Sequence, residues 1–379
     1  MRTHSLYVVS AALVALFTVA CSESKPTLAP QPPTAPPAAA AQPASSSSPA
    51  DLAAVRAAID RGVDFLVKSR AADGMIGGHG GVTALAVQAI ALAPSPPLPN
   101  DPRLAPTLAA LVARARPDGS FADEQYPAYT TALAILALQA AGAHPELVGP
   151  AQRWLATAQL DESDGVAPTH PEYGGIGYGG KGHADLSNLH FALEALRESH
   201  FSERPETYTR AIDFLERCQN RTESNDLPGA TNDGGFVYRP GDSKAGAMTS
   251  SGSMTYAGVK SFIYAGVSAE DPRVVSAIDW LRRNYTLEEN PGLGQKGLYY
   301  YYQVFSRALS LLGQREFVDV AGRTHDWYGD LTRALLARQR ADGSWANSDA
   351  TYWESNPVLA TARALLALEY GYGLATRAN

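Results

Sequence analysis

Two kinds of helical segment alternate along the chain from about residue 51 to residue 373. Segments of the first kind are amphipathic, with aliphatic residues at helical spacing and charged residues between them, and they occupy residues 52–70, 103–116, 146–160, 205–219, 271–285 and 330–340. Segments of the second kind are apolar on almost every face, and they occupy residues 82–93, 129–143, 186–198, 254–267, 298–312 and 358–370. A helix that is apolar all round is buried all round, whereas an amphipathic helix faces water on one side.

The alternation of six amphipathic and six apolar segments predicts two concentric rings of helices, with the apolar helices inside. We therefore expect an all-α fold, an (α/α)6 toroid of six helix pairs with an apolar inner ring and an amphipathic outer ring. An open solenoid is the structural alternative. It would need polar capping repeats at its two ends, and the sequence shows none, so closure is favoured.

A turn containing glycine follows most of the amphipathic segments. Glycine tolerates a positive φ, which suits a tight turn or the C-terminal stop of a helix. In five repeats the turn reads Asp-Gly, beginning at Asp73, Asp118, Asp164, Asp233 and Asp342. The fifth repeat departs from this pattern and carries Gly292 and Gly294 instead.

The last turn combines Gln339 with Asp342-Gly343-Ser344-Trp345. It resembles the QW repeat of squalene and oxidosqualene cyclases, and the weaker copies resemble the wider prenyltransferase and squalene-cyclase superfamily. The resemblance covers about residues 51–373 and implies an α/α toroid whose central cavity holds an isoprenoid chain or a peptide. It also implies that Gln339, Asp342, Gly343 and Trp345 are structural, because the turn residues tie neighbouring helices together in that superfamily.

The catalytic motifs of that superfamily do not carry over to this chain. The cyclases use Asp-x-Asp-Asp, in which one carboxylic acid protonates the substrate. This chain has no Asp-Asp pair, and residues 161–164 (DESD) are the nearest approach. The protein prenyltransferases bind zinc through Asp, Cys and His, but here Glu216 stands two residues before Cys218. We therefore predict no metal and no cofactor.

The first fifty residues lie outside the repeats and resemble a targeting sequence. Residues 1–20 predict a secretory signal peptide, with Arg2 before a short apolar run. The sequence TVAC, ending at Cys21, resembles a bacterial lipobox and implies acylation of that cysteine; an ordinary signal peptide with a chance cysteine is the alternative. Residues 21–50 are rich in Pro, Ala and Ser and predict a disordered tether. Ser22 resembles an outer-membrane sorting signal.

These features predict a lipoprotein of the bacterial cell envelope, on the periplasmic face of the outer membrane, with residues 51–379 as its folded domain. The formal net charge of −7 argues against nucleic acid as a partner. The folded domain has one cysteine, Cys218, so it cannot form an internal disulfide. Beyond the signal peptide the sequence contains no candidate transmembrane span.

A closed ring would place a candidate site at one rim. The inner helices would run parallel, so that their N-terminal N–H groups and dipoles converge and attract anions. The segment of residues 172–196 is the richest of the loops that enter these helices in glycine, aromatic and titratable residues. His190 and His183 are candidate general bases. Asp185 is a third candidate catalytic residue, although an N-cap of the following helix is an alternative role.

Further residues are candidates for the wall of a ligand cavity: Tyr173, Tyr178, Asn188, Tyr256, Lys260, Tyr299, Tyr300, Arg307 and Trp353. Aromatic walls suit a prenyl chain, a carbocation or a sugar face, and simple packing accounts for the same residues. The charges of Lys260 and Arg307 on inner helices indicate an anionic group in the cavity or, alternatively, an internal ion pair.

Three functions are compatible with the sequence. The first is a membrane-tethered protein that binds an isoprenoid or other apolar ligand in its central cavity, either as an enzyme that transforms the ligand or as a binding protein. The second is a non-catalytic periplasmic scaffold or a toroid that binds a peptide or lipid. The third is a carbohydrate-active (α/α)6 lyase or hydrolase that uses residues such as Glu172 and Glu354. A deep apolar pocket would favour the first function, a filled core the second, and a groove with two facing carboxylates the third.

Overall fold

The computed structural model describes residues 49–121, 125–179 and 183–376, with side chains described from residue 52 onward. The predicted signal peptide, the predicted lipidation at Cys21 and most of the predicted tether lie outside the described residues. No helix within the described ranges is long and apolar enough to cross a membrane.

Twelve α-helices within the described ranges match the twelve predicted segments. The amphipathic helices are α1 (Pro49–Lys68), α3 (Ala105–Val112), α5 (Pro145–Thr157), α7 (Glu206–Cys218), α9 (Pro272–Arg283) and α11 (Trp327–Arg338). The apolar helices are α2 (Gly80–Leu92), α4 (Pro127–Ala141), α6 (Leu186–Glu198), α8 (Gly252–Tyr264), α10 (Leu298–Leu312) and α12 (Pro357–Thr376). The predicted limits of α6 and α10 are those observed, and the largest error is at the end of α12, which continues to Thr376, six residues beyond the predicted residue 370.

The apolar helices form a closed inner ring. Each packs against the next in the order α2, α4, α6, α8, α10 and α12, and α12 in turn packs against α2. The amphipathic helices lie outside this ring, and α1 contacts α11 and α12, which joins the two ends of the chain. The burial follows the sequence pattern, because every residue of α2 from Gly80 to Ala91 is buried. The predicted (α/α)6 toroid is therefore confirmed, and the open solenoid is excluded.

A glutamine at the end of an outer helix connects that helix to the next one. The side-chain amide of Gln339 donates hydrogen bonds to the carbonyl oxygens of Gly343 (3.0 Å) and Ala58 (2.9 Å), and so links α11 to α1 across the closure of the ring. The indole of Trp345 donates to the carbonyl of Leu335 at 2.8 Å. Two other glutamines make the same pair of hydrogen bonds from their side-chain amides to backbone carbonyl oxygens. Gln159 donates to Gly174 and Thr207, and Gln219 donates to Gly234 and Arg273.

A glycine after each of these outer helices lies against the backbone of the next outer helix. Gly343 has a φ of +88°, and a Cβ added there would lie 2.4 Å from the carbonyl oxygen of Arg61. Both the left-handed backbone and the close approach require glycine. Equivalent contacts are made by Gly74 against Pro106, Gly119 against Pro150, Gly174 against Arg210 and Gly234 against Ser276.

The third of these turns differs from the sequence prediction. We predicted it at Asp164-Gly165, but Gly165 ends the short 3-10 helix Glu162–Asp164 and has open space beside it. The glycine that touches the next outer helix is Gly174, which no aspartate precedes. The prediction failed because Asp-Gly fits any tight turn, whereas close approach to a neighbouring helix is a tertiary contact that the dipeptide does not encode.

One β-hairpin was not predicted. Strands β1 (Glu316–Val318) and β2 (Thr324–Asp326) pair antiparallel, with Phe317 opposite His325. The imidazole of His325 lies between the carboxylates of Asp319 (3.1 Å) and Asp330 (3.3 Å). At three residues each, these strands are too short to show an alternating pattern in the sequence.

A buried ion cluster joins three inner helices in their C-terminal halves. The carboxylate of Glu194 on α6 accepts hydrogen bonds from the ammonium of Lys260 (2.6 Å) and the guanidinium of Arg307 (2.8 Å). Arg307 also donates to Glu198 at 2.6 Å. Burial by itself would raise the pKa of Glu194, but the charges of Lys260 and Arg307 outweigh it and hold the pKa below its ordinary value. Glu194 is therefore ionised at neutral pH.

We predict that Glu194→Gln lowers the free energy of unfolding by about 3–5 kcal/mol, because it leaves the buried ammonium of Lys260 without its carboxylate and Arg307 with Glu198 alone. Denaturant unfolding at pH 7 measures this. The matched control is Asp279→Asn, which removes an exposed carboxylate 3.0 Å from Arg282 and is expected to cost less than about 1 kcal/mol. Equal losses in the two variants would contradict a stabilising role for the cluster.

Candidate ligand cavity

A cavity of about 380 Å³ opens at the N-terminal ends of the inner helices. All six inner helices contribute to its wall from their first turns, and α12 also contributes from its second. The lining residues on the helices are Gly81, Val82, Tyr129, Thr130, Ser187, Ser253, Met254, Tyr300, Leu359 and Arg363. The cavity thus lies where the N-terminal ends of the parallel inner helices converge. Its volume lies within the range of about 300–1,000 Å³ typical of small-molecule sites.

Aromatic rings form a continuous wall in this cavity. The ring of Tyr126 lies 5.2 Å from that of Tyr178 and 6.5 Å from that of Trp353. Tyr129 continues the series at 6.1 Å from Tyr178. These separations are those of edge-to-face and tilted aromatic packing. The wall presents flat, polarisable surfaces to whatever enters.

Two of the aromatic residues at the mouth are held in an unusual backbone conformation. Tyr352 and Trp353 have φ values of 58° and 63°, in the left-handed region that bulky residues seldom occupy. About half of each residue is exposed. The cost of this conformation is of order 1–3 kcal/mol per residue, and strain of this kind concentrates at ligand sites. The ring of Trp353 also lies 5.1 Å from the imidazole of His79.

The floor of the cavity carries a cation. Arg363 lies six residues after Pro357, the first residue of α12, which places its Cα about 9 Å along the helix axis from that residue. It is 8 % exposed, and its guanidinium lies 4.8 Å from the centre of the Tyr300 ring. One of its terminal nitrogens approaches the side-chain oxygen of Gln303 at 3.5 Å. Its Nε is buried and has no hydrogen-bond partner among the described residues.

The electrostatic balance of the lining is positive. Among the described residues that line the cavity, none is an aspartate or a glutamate, whereas Arg363 and Lys244 are both cations. The ammonium of Lys244 lies over the ring of Tyr238 at 4.4 Å and 3.7 Å from the carboxylate of Asp242. Within the described ranges no group of three or more His, Cys, Asp or Glu residues is placed to hold a metal ion.

His190 reaches the cavity only through a neighbour. It is fully buried, and its Nε2 lies 2.6 Å from the hydroxyl of Tyr300, which lines the cavity. Burial lowers the pKa of His190 well below its ordinary value, and the charges of Lys260 and Arg363 lower it further. The imidazole is therefore neutral, and it shares a hydrogen bond with the hydroxyl of Tyr300.

The other two predicted catalytic residues do not line the cavity. Asp185 caps α6, because its carboxylate accepts hydrogen bonds from the backbone N–H of Asn188 (2.9 Å) and from the side chain of Asn188 (2.7 Å). Burial raises the pKa of Asp185 to about 6, although hydrogen bonds from Asn188 and Tyr238 oppose the rise. His183 has a largely exposed side chain, with its Nδ1 at 3.9 Å from the carboxylate of Glu172.

Three of the nine predicted cavity residues line the cavity: Tyr178, Tyr300 and Trp353. The predicted anion-binding pair Lys260 and Arg307 instead pairs with Glu194, so the alternative of an internal ion pair describes them. Four more lie in the packed core or on the outer side: Tyr173, Asn188, Tyr256 and Tyr299. Their polar atoms or rings contact Glu162, Asp185, Tyr301 and Tyr302, respectively.

The sequence analysis missed Arg363 as a site residue. The signal was present, because Arg363 is a lone cation within the otherwise apolar run of residues 358–368. Such a residue needs a reason to be buried. Tyr126, Tyr129 and Tyr238 also line the cavity and were not predicted. Their placement depends on how the loops fold over the rim.

The chain folds as an α/α toroid, which confirms the resemblance at the level of fold. A variant of type II terpene cyclase MstE from Scytonema in complex with merosterolic acid A superposes with a TM-score of 0.55 at 18% identity, over 86% of this chain and 99% of that chain. Another variant of the same enzyme, in complex with geranylgeranyl dihydroxybenzoate, superposes with the same TM-score at 17% identity and the same coverage.

A protein from Actinoplanes superposes with a TM-score of 0.50 at 17% identity, over 83% of this chain and 99% of that chain. No protein-family model matches the chain, and no curated protein sequence is significantly similar to it. The structural likeness therefore shows a shared fold.

The titration of Asp185 generates a prediction about stability. Its pKa in the folded protein is about 6, against an ordinary value of 3.8, so the folded state holds the proton more tightly than the unfolded state. Stability is therefore lost as pH rises from about 4 to about 7, by roughly 3 kcal/mol. We expect Asp185→Asn, which cannot ionise, to gain stability relative to the wild type over this interval. Denaturant unfolding at pH 4, 5.5 and 7 measures it.

The control for this experiment is Asp185→Ala, which also cannot ionise but loses the cap on α6. It is expected to be about 1 kcal/mol less stable than Asp185→Asn at every pH. A constant difference between the wild type and Asp185→Asn across the pH series would show that Asp185 titrates normally.

Proposed function

We propose that the protein binds a ligand with a long apolar portion, of isoprenoid type, in the cavity at the N-terminal ends of its inner helices. The observation that carries this proposal is the continuous aromatic wall, in a cavity of about 380 Å³ whose lining has no described carboxylate. Apolar and aromatic lining with a few polar groups is the usual composition of a small-molecule site.

The lining favours this function over the two alternatives. A glycoside hydrolase uses two carboxyl groups on opposite sides of the sugar bond. Glu354, one candidate for such a role, is buried and accepts hydrogen bonds from the N–H groups of Tyr299 and Tyr300 at the start of α10. A pure scaffold has no need of an open cavity or of strained aromatic residues at its mouth.

The ligands of the structural relatives support an isoprenoid as the apolar portion. The complexes of MstE from Scytonema contain geranylgeranyl dihydroxybenzoate as substrate and merosterolic acid A as product. We extend to this protein the binding of a prenyl chain and not the cyclisation. A cyclase protonates its substrate with a carboxylic acid in contact with it, whereas Asp185 is buried, does not line the cavity, and accepts hydrogen bonds from Asn188, Tyr238 and the backbone of Ser187.

We further propose that the protein works at a membrane. The lipobox-like sequence ending at Cys21 and the Pro- and Ser-rich tether that follows support attachment through an acylated cysteine on the periplasmic face of the outer membrane. A tether of this composition allows the toroid to move relative to its anchor.

The binding proposal predicts that Tyr300→Ala weakens a C20 prenyl alcohol about tenfold, because it removes one aromatic wall residue worth on the order of 1–2 kcal/mol. Titration with geranylgeraniol, followed by native mass spectrometry, measures this. Tyr372→Ala is the matched control, since Tyr372 lies on α12 outside the lining and its loss should leave affinity unchanged. Absence of any complex with the wild type would contradict the proposal.

The anchoring proposal predicts that Cys21→Ser moves the protein from the membrane fraction to the soluble fraction of the cell envelope. Cys218→Ala is the control, because that cysteine is buried in α7 and should have no effect on fractionation. Membrane association that survives Cys21→Ser would show that acylation is not the anchor.

A further inference from the structure

We infer that the ligand carries a singly charged oxyanion headgroup, and that Arg363 binds this headgroup at the floor of the cavity. The inference rests on the proposed function and adds the class of ligand: an amphiphile that enters head first, with its apolar chain along the aromatic wall. Four observations lead to it.

The first observation is the depth of Arg363. Other lining residues on the inner helices lie within the first turn of their helix, for example Ser187 on α6 and Tyr300 on α10. Arg363 lies six residues after the start of α12, in its second turn, and its guanidinium lies beside the side chains of Tyr300 and Gln303 on α10.

The second observation is the absence of a protein anion against this cation. Among the described residues none forms an ion pair with Arg363, and its buried Nε has no acceptor. The positive charge of Arg363 lowers the pKa of Glu354, but burial raises this pKa by more. Both oxygens of Glu354 are already engaged by the N–H groups of Tyr299 and Tyr300, and one of them also by Asn347.

Arg363 differs in this respect from Arg307, the arginine of the buried ion cluster. Arg307 also lies on an inner helix, and it is compensated by the carboxylates of Glu194 and Glu198. A buried cation without a carboxylate is costly, and stacking on Tyr300 offsets only part of the cost. A cation of this kind in the floor of a cavity is suited to a ligand anion.

The third observation is the geometry of the free donors. A guanidinium presents parallel N–H groups that match the two oxygens of a carboxylate or a phosphate. The hydroxyl of Thr130, which also lines the cavity, is buried and has no partner among the described residues. The guanidinium of Arg363 can offer an oxyanion a charge-assisted contact, and Thr130 is a further hydroxyl of the same lining.

The fourth observation limits the charge of the headgroup. The cation nearest the mouth, Lys244, already lies against Asp242, and the described residues contain no cluster that would hold a metal. A diphosphate would bring more negative charge than one free guanidinium balances. A carboxylate or a phosphate monoester or diester fits better.

The test compares probes that differ only at the head: geranylgeranoic acid, geranylgeranyl monophosphate and neutral geranylgeraniol. The full chain carrying Cys21→Ser is used, so that no acyl group competes for the cavity, and the tryptophan fluorescence, to which Trp353 at the mouth contributes, reports binding. We expect at least one anionic probe to bind about 10- to 100-fold more tightly than the alcohol. Whichever anionic probe binds more tightly identifies the carboxylate or the phosphate as the source of the headgroup.

Two variants assign the effect to Arg363. In Arg363→Met, which keeps the length and apolar stem of the side chain, the preference for the anionic probe should disappear while affinity for geranylgeraniol stays within threefold of the wild type. Arg363→Lys keeps the charge, loses the forked donors and should retain part of the preference. Lys244→Met is the matched control, and it should leave most of the preference in place.

Each outcome decides between the proposals. Equal affinity of the wild type for the alcohol and both anionic probes overturns the headgroup inference and leaves the prenyl-binding function standing. A preference that survives in Arg363→Met overturns the assignment to Arg363. Failure of all three probes to bind overturns the proposed function together with the inference. Should Arg363→Met not fold, the wild-type comparison of probes and the Arg363→Lys variant still decide the matter.

Discussion

The packing of α12 against α2 is the contact on which the rest of the structure depends. It turns a row of helix pairs into a ring, and the alternation of outer and inner helices makes the six inner helices run in the same direction around one axis. Their N-termini therefore meet on one side, where no further helix of the described residues fills the space. The cavity is a consequence of closure, and the residues of the entry loops decide only what lines it. The hydrogen bond from Gln339 to Ala58 secures the same closure in the outer ring.

The buried cations of the inner ring occur in two different arrangements, one paired with a carboxylate and one not. In the C-terminal halves of the helices, Lys260 and Arg307 share the carboxylate of Glu194, and the charge is balanced within the protein. Near the N-terminal ends Arg363 is left without a described carboxylate, and the aromatic wall above it excludes water from much of its surface. The first arrangement stabilises the scaffold, and the second is available for binding. Lys260 and Arg363 are both buried, so the difference between them is that only Lys260 is paired with a carboxylate.

Much of the fold was predictable from the sequence, and much of the site was not. The helices could be predicted because the difference between apolar and amphipathic segments is local and repeats six times, and Gln339 and Trp345 mark the turn between them. The cavity wall depends on side-chain direction within loops, so Tyr178, Tyr300 and Trp353 were selected together with six residues that lie elsewhere. Lys260 and Arg363 look alike in sequence, as single cations in apolar helices. Their difference lies in Glu194, which belongs to another helix and is visible only after the ring is assembled.

Closure also has a consequence for the order in which the chain can fold. The amide of Gln339 and the carbonyl of Ala58 are separated by 281 residues, and α1 has its partners in α11 and α12 at the far end of the chain. The first described helix therefore completes its packing only after the last helices have been synthesised. Contacts of such long sequence separation slow folding and expose partly assembled chains to aggregation. A chaperone that shields α1 until the sixth pair arrives would meet the need that this topology creates.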